Sequence, residues 1–127
     1  MSGSDKLDGE ETMSVERAAP VLEAIRQLSK PFALEQVQGP GSPQKFELRL
    51  PEVIIGRSSQ AHVSLDSSAL SRKHVALTRK GLEYVCSDLG SKNGFYVNGV
   101  RAHSAVLRDG DTLQLGDVVF LYREGDR

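Results

Sequence analysis

Four consecutive residues ahead of one apolar stretch carry an unusual amount of hydrogen-bonding chemistry. In the segment "LSRKHVAL" (70–77), the hydroxyl of Ser71 is followed by two cations and then by the imidazole of His74. The residues from Val75 onward alternate in the manner of a β-strand. A hydroxyl and cations at the end of a strand are groups that bind phosphate oxygens. The segment therefore predicts one half of a phosphate-binding site.

Two further segments hold groups of the same kind at strand ends. In "IIGRSSQAHVSL", Gly56 and Arg57 end an apolar strand, and in "DLGSKNGFYVNG" Asn93-Gly94 precedes a second Asn-Gly pair at Asn98. Alternate connections of an antiparallel sheet lie at the same end of the domain. Arg57, Ser71 and Asn93 are therefore expected to meet at that end.

The chemistry of these three residues is coherent. The planar guanidinium of Arg57 matches two phosphate oxygens, and Ser71 adds a short hydroxyl donor. Asn93 carries both a donor and an acceptor, so it can bracket the amides of an extended peptide. Arg72 supplies a second cation. No nucleophile stands beside a base and no metal cage or dinucleotide loop is visible, so we expect binding without cleavage and no cofactor.

Each residue also has a purely structural explanation. Arg57 alone could be a solvated charge, and Ser71 a turn residue. His74, next to apolar residues, is typical of an imidazole that braces a loop rather than of a catalytic base. The two Asn-Gly pairs form turns because both residue types tolerate positive φ. Gly56 indicates a close approach of another backbone segment.

The elements that must position these residues are strands. From Phe32 onward apolar and polar residues alternate, as in "KFELRL" (45–50), and Gly- and Asn-rich turns recur every 8–12 residues. No segment supplies the dozen-residue crossover that parallel strands require. The pattern predicts an all-β domain over residues 31–125, an antiparallel sandwich or barrel.

The N-terminal region, residues 1–30, has a different composition. Residues 1–12 carry four acids and one base, which predicts a disordered acidic tail. Apolar residues recur at helical spacing between Pro20 and Lys30, and Pro31 ends the pattern. A helix of about ten residues is marginal alone in water, so it must pack on something or fold on contact.

The composition excludes several classes of protein. Sixteen basic and 17 acidic residues give a net charge of −1, so no field for nucleic acid is expected. No apolar run is long enough to span a membrane and no secretory signal is visible. The single cysteine, Cys86, excludes an internal disulfide and a cysteine-based zinc site. A reducing cytoplasm is the expected setting.

The order of these motifs resembles the forkhead-associated (FHA) domain family over roughly residues 31–123. The resemblance implies an eleven-stranded FHA/SMAD-like β-sandwich whose apical loops bind phosphothreonine peptides. It implies phosphate contacts from Arg57, Ser71 and Arg72. It implies that Asn93 holds the peptide backbone beside Ser91 and Lys92. It also implies that four residues brace the loops, namely Gly56, His74, Gly94 and Asn98.

This resemblance sets the expected function and partners. We expect a phosphothreonine-dependent interaction module in intracellular signalling, monomeric, with a threonine-phosphorylated protein as its partner and a Ser/Thr kinase as a candidate. A methyl niche beside the phosphate would favour threonine over serine by on the order of 0.8 kcal/mol. Thr12, in "GEETMSV", is a candidate phosphosite whose modified form could occupy the same loops.

Three other functions stay open at this point. A phosphate-independent adaptor would use the same sandwich with an unused clamp. A hydrolase would use His74 with Ser71, although no orienting acid or oxyanion nest is apparent. A nucleic-acid binder would need a basic surface and a stacking platform, and the near-neutral domain offers neither.

Overall fold

The computed structural model describes Val21 and residues 29–126, and it confirms the predicted all-β sandwich. Eleven strands run through this part of the chain: β1 (Phe32–Gln38), β2 (Gln44–Leu48), β3 (Glu52–Gly56), β4 (Val63–Ser64), β5 (Val75–Lys80), β6 (Glu83–Asp88), β7 (Phe95–Val97), β8 (Val100–Ala102), β9 (Ser104–Val106), β10 (Thr112–Leu115) and β11 (Val118–Arg123).

The strands form two sheets. The smaller has the order β9-β6-β5-β3-β4, and the larger has the order β2-β1-β11-β10-β7-β8. β1 and β11, the first and last strands, are antiparallel neighbours, with Ala33 opposite Arg123. β2 and β8 are therefore the edges of the larger sheet, and β9 and β4 are the edges of the smaller one.

The core lies between the two sheets and follows the predicted alternation. In β11, Val118, Phe120 and Tyr122 are buried while the residues between them are half-buried. The ring of Phe32 in one sheet meets the ring of Tyr84 in the other edge to face, with centroids 5.7 Å apart. Burial of these side chains supplies most of the stabilisation that holds the sheets together.

One pairing departs from the antiparallel arrangement predicted for the whole sheet. β3 and β4 run parallel, with Ile55 opposite Val63 and Gly56 opposite Ser64. The expected need for a long crossover was wrong here. Because the pairing covers only two residues, the chain has to travel back by only about 7 Å, and the connection 57–62 is long enough.

The register of the smaller sheet brings three strand ends together. Ile55, near the end of β3, lies opposite Val75 at the start of β5, and Val75 lies opposite Asp88 at the end of β6. The connections 65–74 and 89–94 therefore meet the end of β3 at one rim of the sandwich. This is the arrangement that the motif order predicted.

The remaining sequence predictions concern the N-terminal region, residues 1–30. The acidic tail, Thr12 and most of the predicted helix lie outside the described residues. All eleven strands belong to the unit Pro31–Arg127. Within the described part of the chain, no helix is both long and apolar enough to cross a membrane.

Candidate functional site

A small cleft opens at the rim where these connections meet. Its volume is about 230 Å³, several times the roughly 30 Å³ share of one water molecule, which suits a phosphate group and part of the side chain that bears it. The cleft is lined by Arg57, Ser68, Ala69, Leu70, Ser71, Lys92 and Asn93. Arg57, Ser71 and Asn93, predicted to meet, thus share one cleft.

Charge in the cleft has one sign. Arg57 and Lys92 are both exposed cations, and no acidic side chain is among the lining residues. Three hydrogen-bonding side chains, those of Ser68, Ser71 and Asn93, complete the polar lining. Within the described residues no cluster of His, Cys, Asp and Glu could hold a metal ion. The arrangement therefore fits an anion that carries several oxygens.

Arg57 is oriented by the backbone of the neighbouring connection. Its backbone N–H donates to the carbonyl oxygen of Ser71 (3.0 Å), and its Nε donates to the carbonyl oxygen of Leu70 (3.2 Å). Among the described residues no hydrogen bond uses its two terminal nitrogens. The guanidinium is therefore held at one edge while its other donors remain available to an anion.

Ser71 is fixed by two bonds that leave its hydroxyl hydrogen available. Its Oγ accepts a hydrogen bond from the backbone N–H of Lys92 (3.0 Å), which ties the connection 65–74 to the connection 89–94. Its own N–H donates to Nδ1 of His74 (3.0 Å). A hydroxyl that already accepts one bond can still donate its proton to a ligand oxygen.

His74 is fully buried and joins the segments of the rim. Its Nδ1 accepts from Ser71 N–H, so its Nε2 carries the proton and donates to the carbonyl oxygen of Gly94 (2.7 Å). Its backbone N–H donates to Ile55 O and its carbonyl accepts from Leu89 N–H. Both ring nitrogens are therefore engaged with the backbone, as in a structural brace.

Asn93 and Lys92 line the cleft from the connection 89–94. Nδ2 of Asn93 donates to the carbonyl oxygen of Ala69 (2.9 Å), which fixes the plane of the amide and leaves Oδ1 as an acceptor. The backbone N–H of Lys92 is used by Ser71, and its side chain is exposed. The connection therefore offers one fixed amide and one exposed cation.

Ser91 lies in the connection 89–94 next to Lys92, and its hydroxyl is engaged within that connection. Its hydroxyl donates to the Asp88 carboxylate and accepts from the N–H of Gly94 (2.8 Å), and the residue does not line the cleft. The N–H groups of Gly90 and Ser91 also donate to Asp88, each at 3.0 Å. Ser91 therefore braces the connection 89–94 from within, and its place beside a bound peptide stays a prediction.

These bonds change the acidity of Asp88. Burial on its own raises the pKa of this carboxyl, but the bonds from Ser91 and Gly90 outweigh burial and hold the pKa below its ordinary value. A carboxyl whose pKa is lowered by folding stabilises the fold when it is ionised. That stabilisation is fully present above the ordinary aspartate pKa of about 3.9 and is lost as the pH falls through the lower folded value.

Asp88→Asn is therefore expected to lower the melting temperature at neutral pH by a few degrees, because a neutral amide accepts the bonds from Gly90 and Ser91 more weakly. Thermal unfolding followed by circular dichroism from about pH 7 to about pH 2 would measure it. The difference from the wild type should shrink as the wild-type carboxylate is protonated. Asp66→Asn, at an exposed site, is the control, and a difference independent of pH would contradict the prediction.

Arg72 stands beside the cleft but does not line it. Its side chain is exposed, and its carbonyl oxygen accepts from the N–H of Ser58 (3.0 Å). The buried Gly56 faces the same carbonyl: a Cβ built there would lie 2.1 Å from Arg72 O and 2.9 Å from Ser71 O. Gly56 thus permits the close backbone approach that the sequence indicated.

The last two predicted braces support the site in different ways. Gly94 has φ +71°, and a Cβ there would lie 2.8 Å from a guanidinium nitrogen of Arg101. Asn98, with φ 52°, bonds to Asp111 and to the backbone of Thr112. Those contacts hold the β7–β8 turn, at the end of β7 away from Asn93, so any support for the loop carrying Asn93 passes through β7.

Three lining residues, Ser68, Ala69 and Leu70, were missed by the sequence analysis. All three belong to the connection 65–74, between β4 and Ser71. The buried hydroxyl of Ser67 shapes this segment by accepting from the N–H of Ala69 and donating to Asp117. The signal in the sequence was the pair Ser67-Ser68 shortly before Leu70. In the structure Ser67 is buried and Ser68 is exposed, so the pair presents one hydroxyl inward and the next outward.

Comparison with known proteins agrees with this geometry. The family model of the FHA domain matches residues 53–116, which contain every residue that lines the cleft. The chain belongs to the FHA domain family. FHA domains bind phosphothreonine peptides, so the module is one of phosphothreonine-dependent protein–protein interaction, and its family is one of binding domains.

The relatives extend the comparison beyond the motif. An oxoglutarate dehydrogenase inhibitor of Corynebacterium jeikeium is 33% identical over 90 residues, 71% of this chain and 62% of that protein. The glycogen accumulation regulator GarA of Mycolicibacterium smegmatis is 34% identical over 90 residues, 71% of this chain and 57% of GarA. The chain thus spans about three-fifths of the length of these curated relatives.

A solved structure gives the same answer for the fold. An FHA domain studied for its phosphothreonine-dependent interactions is 30% identical and aligns with a TM-score of 0.69. The alignment covers 76% of this chain and 99% of that one. The likeness extends over nearly the whole of a solved FHA domain.

Proposed function

We propose that this FHA domain binds a threonine-phosphorylated segment of another protein across the cleft at the rim. The phosphate lies between the terminal nitrogens of Arg57 and the hydroxyl of Ser71, and Asn93 holds the backbone of the bound segment through Oδ1. The observation that carries the proposal is that hydrogen bonds hold only one part of the Arg57 side chain and of the Ser71 side chain. Both are held by backbone bonds, and both keep donors available in the same cleft.

The other cations act around this centre. Lys92 also lines the cleft, where it adds positive charge beside the phosphate or meets an acidic residue of the partner. Arg72 is exposed next to the lining, so it contributes from outside, as a longer-range attraction that salt weakens. Ala69 and Leu70 are the apolar members of the lining, and they are the surface that a threonine methyl would contact.

The domain is proposed to bind without catalysis. A hydrolase built from Ser71 and His74 needs a ring nitrogen next to the serine hydroxyl. Nδ1 of His74 instead accepts from the backbone N–H of Ser71, and Nε2 donates to Gly94 O. The engaged imidazole supports a structural role over that of a general base.

The nature of the partner is also a proposal. An inhibitor of one enzyme and a regulator of glycogen accumulation are among the relatives, which supports a regulatory role with a phosphoprotein, or a Ser/Thr kinase itself, as the partner. A cytoplasmic setting is proposed because the single cysteine, Cys86, is a free buried thiol and the chain uses no disulfide. Thr12 remains a predicted phosphosite.

Isothermal titration with a phosphothreonine peptide library tests the proposal. The phosphothreonine peptides should bind with a dissociation constant on the order of micromolar, about −8 kcal/mol. Their phosphoserine counterparts should bind severalfold more weakly, because one buried methyl group is missing. Higher salt should weaken both. Equal affinity for phosphorylated and unphosphorylated peptides would overturn the proposal in favour of the phosphate-independent adaptor.

A further inference from the structure

β2 is an edge strand of the larger sheet, which the sequence pattern could not reveal. Its five residues pair with β1 on one side, and within the described residues no strand pairs with the other side. Such an edge presents a row of backbone donors and acceptors that a further strand can use. Short edge strands are common, but this edge spans five residues without an internal proline or bulge.

A groove runs alongside this edge. It has a volume of about 530 Å³ and is lined by Lys45, Phe46, Glu47, Arg49, Leu50, Val53, His62 and Val63. Phe46 is half-buried and its ring meets that of Phe120 with centroids 6.2 Å apart, while Leu50 remains 47% exposed. Apolar side chains line the groove between the edges of the two sheets, and charged ones border it.

The charged residues of β2 are placed so that two antiparallel copies of the strand would match opposite charges. Phe46 faces the core side of the sheet, so Lys45 and Glu47, one residue before and one after it, share the outer face. If a second β2 lies antiparallel with Phe46 opposite Phe46, each Lys45 stands opposite the partner's Glu47. Two opposite-charge cross-strand pairs then form by symmetry.

We propose that this face binds a second copy of the chain through antiparallel β2–β2 pairing centred on Phe46. The pairing joins two six-stranded sheets into one continuous sheet around a two-fold axis, the isologous contact typical of dimers. Each Phe46 lies against its symmetry equivalent over the groove, in reach for an aromatic pair. This replaces the monomer expected from the sequence.

Other registers of the same pairing are less favourable. A shift by one residue would place core-facing residues of one copy opposite outward-facing residues of the other. Centring on Lys45 or on Glu47 would place like charges opposite each other. Centring on Leu48 would match Glu47 with Arg49, but Leu48 would then be the one residue of each β2 that lies opposite β2 of the other copy. The register centred on Phe46 uses all five residues of β2.

The dimer contact is separate from the phosphopeptide cleft. No residue lines both the groove and the cleft. A dimer would therefore present two clefts at once, and a partner phosphorylated at two positions would bind with avidity that no single domain has. The inference stands on the edge strand and its charges and does not depend on the proposed peptide binding.

Sedimentation equilibrium of the full chain from about 10 μM to about 1 mM tests the contact, since even weak dimers with a dissociation constant near 1 mM are detected there. The wild type is expected to dimerise. Lys45→Glu and Glu47→Lys should each weaken the dimer at least about tenfold, because each places like charges opposite one another twice. The double variant Lys45→Glu/Glu47→Lys should return to within about threefold of the wild type.

Two controls isolate the contact. Lys80→Glu makes the same change of charge in the β5–β6 hairpin and should leave the dimer unchanged. Circular dichroism should show that all variants melt as cooperatively as the wild type. A wild type that is monomeric at about 1 mM would overturn the proposal. A double variant as weak as either single variant would overturn it too, since the Glu47–Arg49 register predicts no rescue.

Discussion

Arg57→Ala is expected to weaken binding of a phosphothreonine peptide by at least about thirtyfold, the change that corresponds to about 2 kcal/mol. The substitution removes the guanidinium whose terminal nitrogens remain available in the cleft, and the phosphate loses a bidentate, charge-assisted contact. The remaining cation of the lining, Lys92, is a mobile point charge and cannot reproduce that geometry. Isothermal titration of the variant with the preferred peptide measures the effect.

Two companion variants make this result specific. Arg57→Lys keeps the positive charge but loses the planar fork, so its binding should fall between those of the wild type and Arg57→Ala. Arg108→Ala makes the same charge change at the opposite end of β6, where Arg108 pairs with Glu83, and should bind as the wild type does. A variant Arg57→Ala that retains its protein partner at full affinity would identify a phosphate-independent adaptor instead.

Gly56→Ala is expected to destabilise the domain by about 3 kcal/mol, the upper end of the usual cost of overpacking. The new Cβ would lie 2.1 Å from the carbonyl oxygen of Arg72, and a backbone atom cannot move away as a flexible side chain can. Because Arg57 and Ser58 bond to the same segment, any shift there also displaces the cleft. Urea denaturation gives the midpoint and slope that report the change.

Gly110→Ala is the matched control for this substitution. Gly110 has φ +89°, and a Cβ there would meet nothing within 4 Å, so the variant should cost only the conformational strain of about 1 kcal/mol. Peptide titration at urea concentrations below the unfolding midpoint should show that Gly56→Ala also weakens peptide binding. Gly110→Ala should leave peptide binding unchanged. Equal losses of stability in the two variants would contradict the steric origin of the effect.

The convergence of Arg57, Ser71 and Asn93 could be predicted because strand alternation is a local property. Once "VIIGR" and "HVALTRK" are both strands, their ends follow from the alternation of an antiparallel sheet, and side chains at those ends share a rim. The close approach at Gly56 could also be predicted locally, because a glycine within a strand often marks the place where another backbone segment comes near.

Other features of the fold and of the site could not be predicted from the sequence. The partner of the Ser91 hydroxyl was not predicted: the carboxylate of Asp88 lies three residues away and accepts its hydrogen bond in a turn. The parallel β3–β4 pairing also escaped prediction, because a two-residue strand leaves almost no pattern. The edge position of β2 depends on the order of strands in the sheet, and alternation carries no information about that order.

The pairing of β1 with β11 has a consequence for how this domain can be connected. Ala33 and Arg123 are neighbours, and a terminal guanidinium nitrogen of Arg123 lies 3.9 Å from the Asp109 carboxylate. Asp109 lies in the β9–β10 connection, and Arg108 of the same connection pairs with Glu83 at the start of β6. The end of β6 is at the rim, about 17–20 Å away along six residues of strand. Entry and exit of the polypeptide are thus side by side on the face remote from the ligand. Such a sandwich can be spliced into a surface loop of another protein, or strung in tandem, with its recognition end still facing outward.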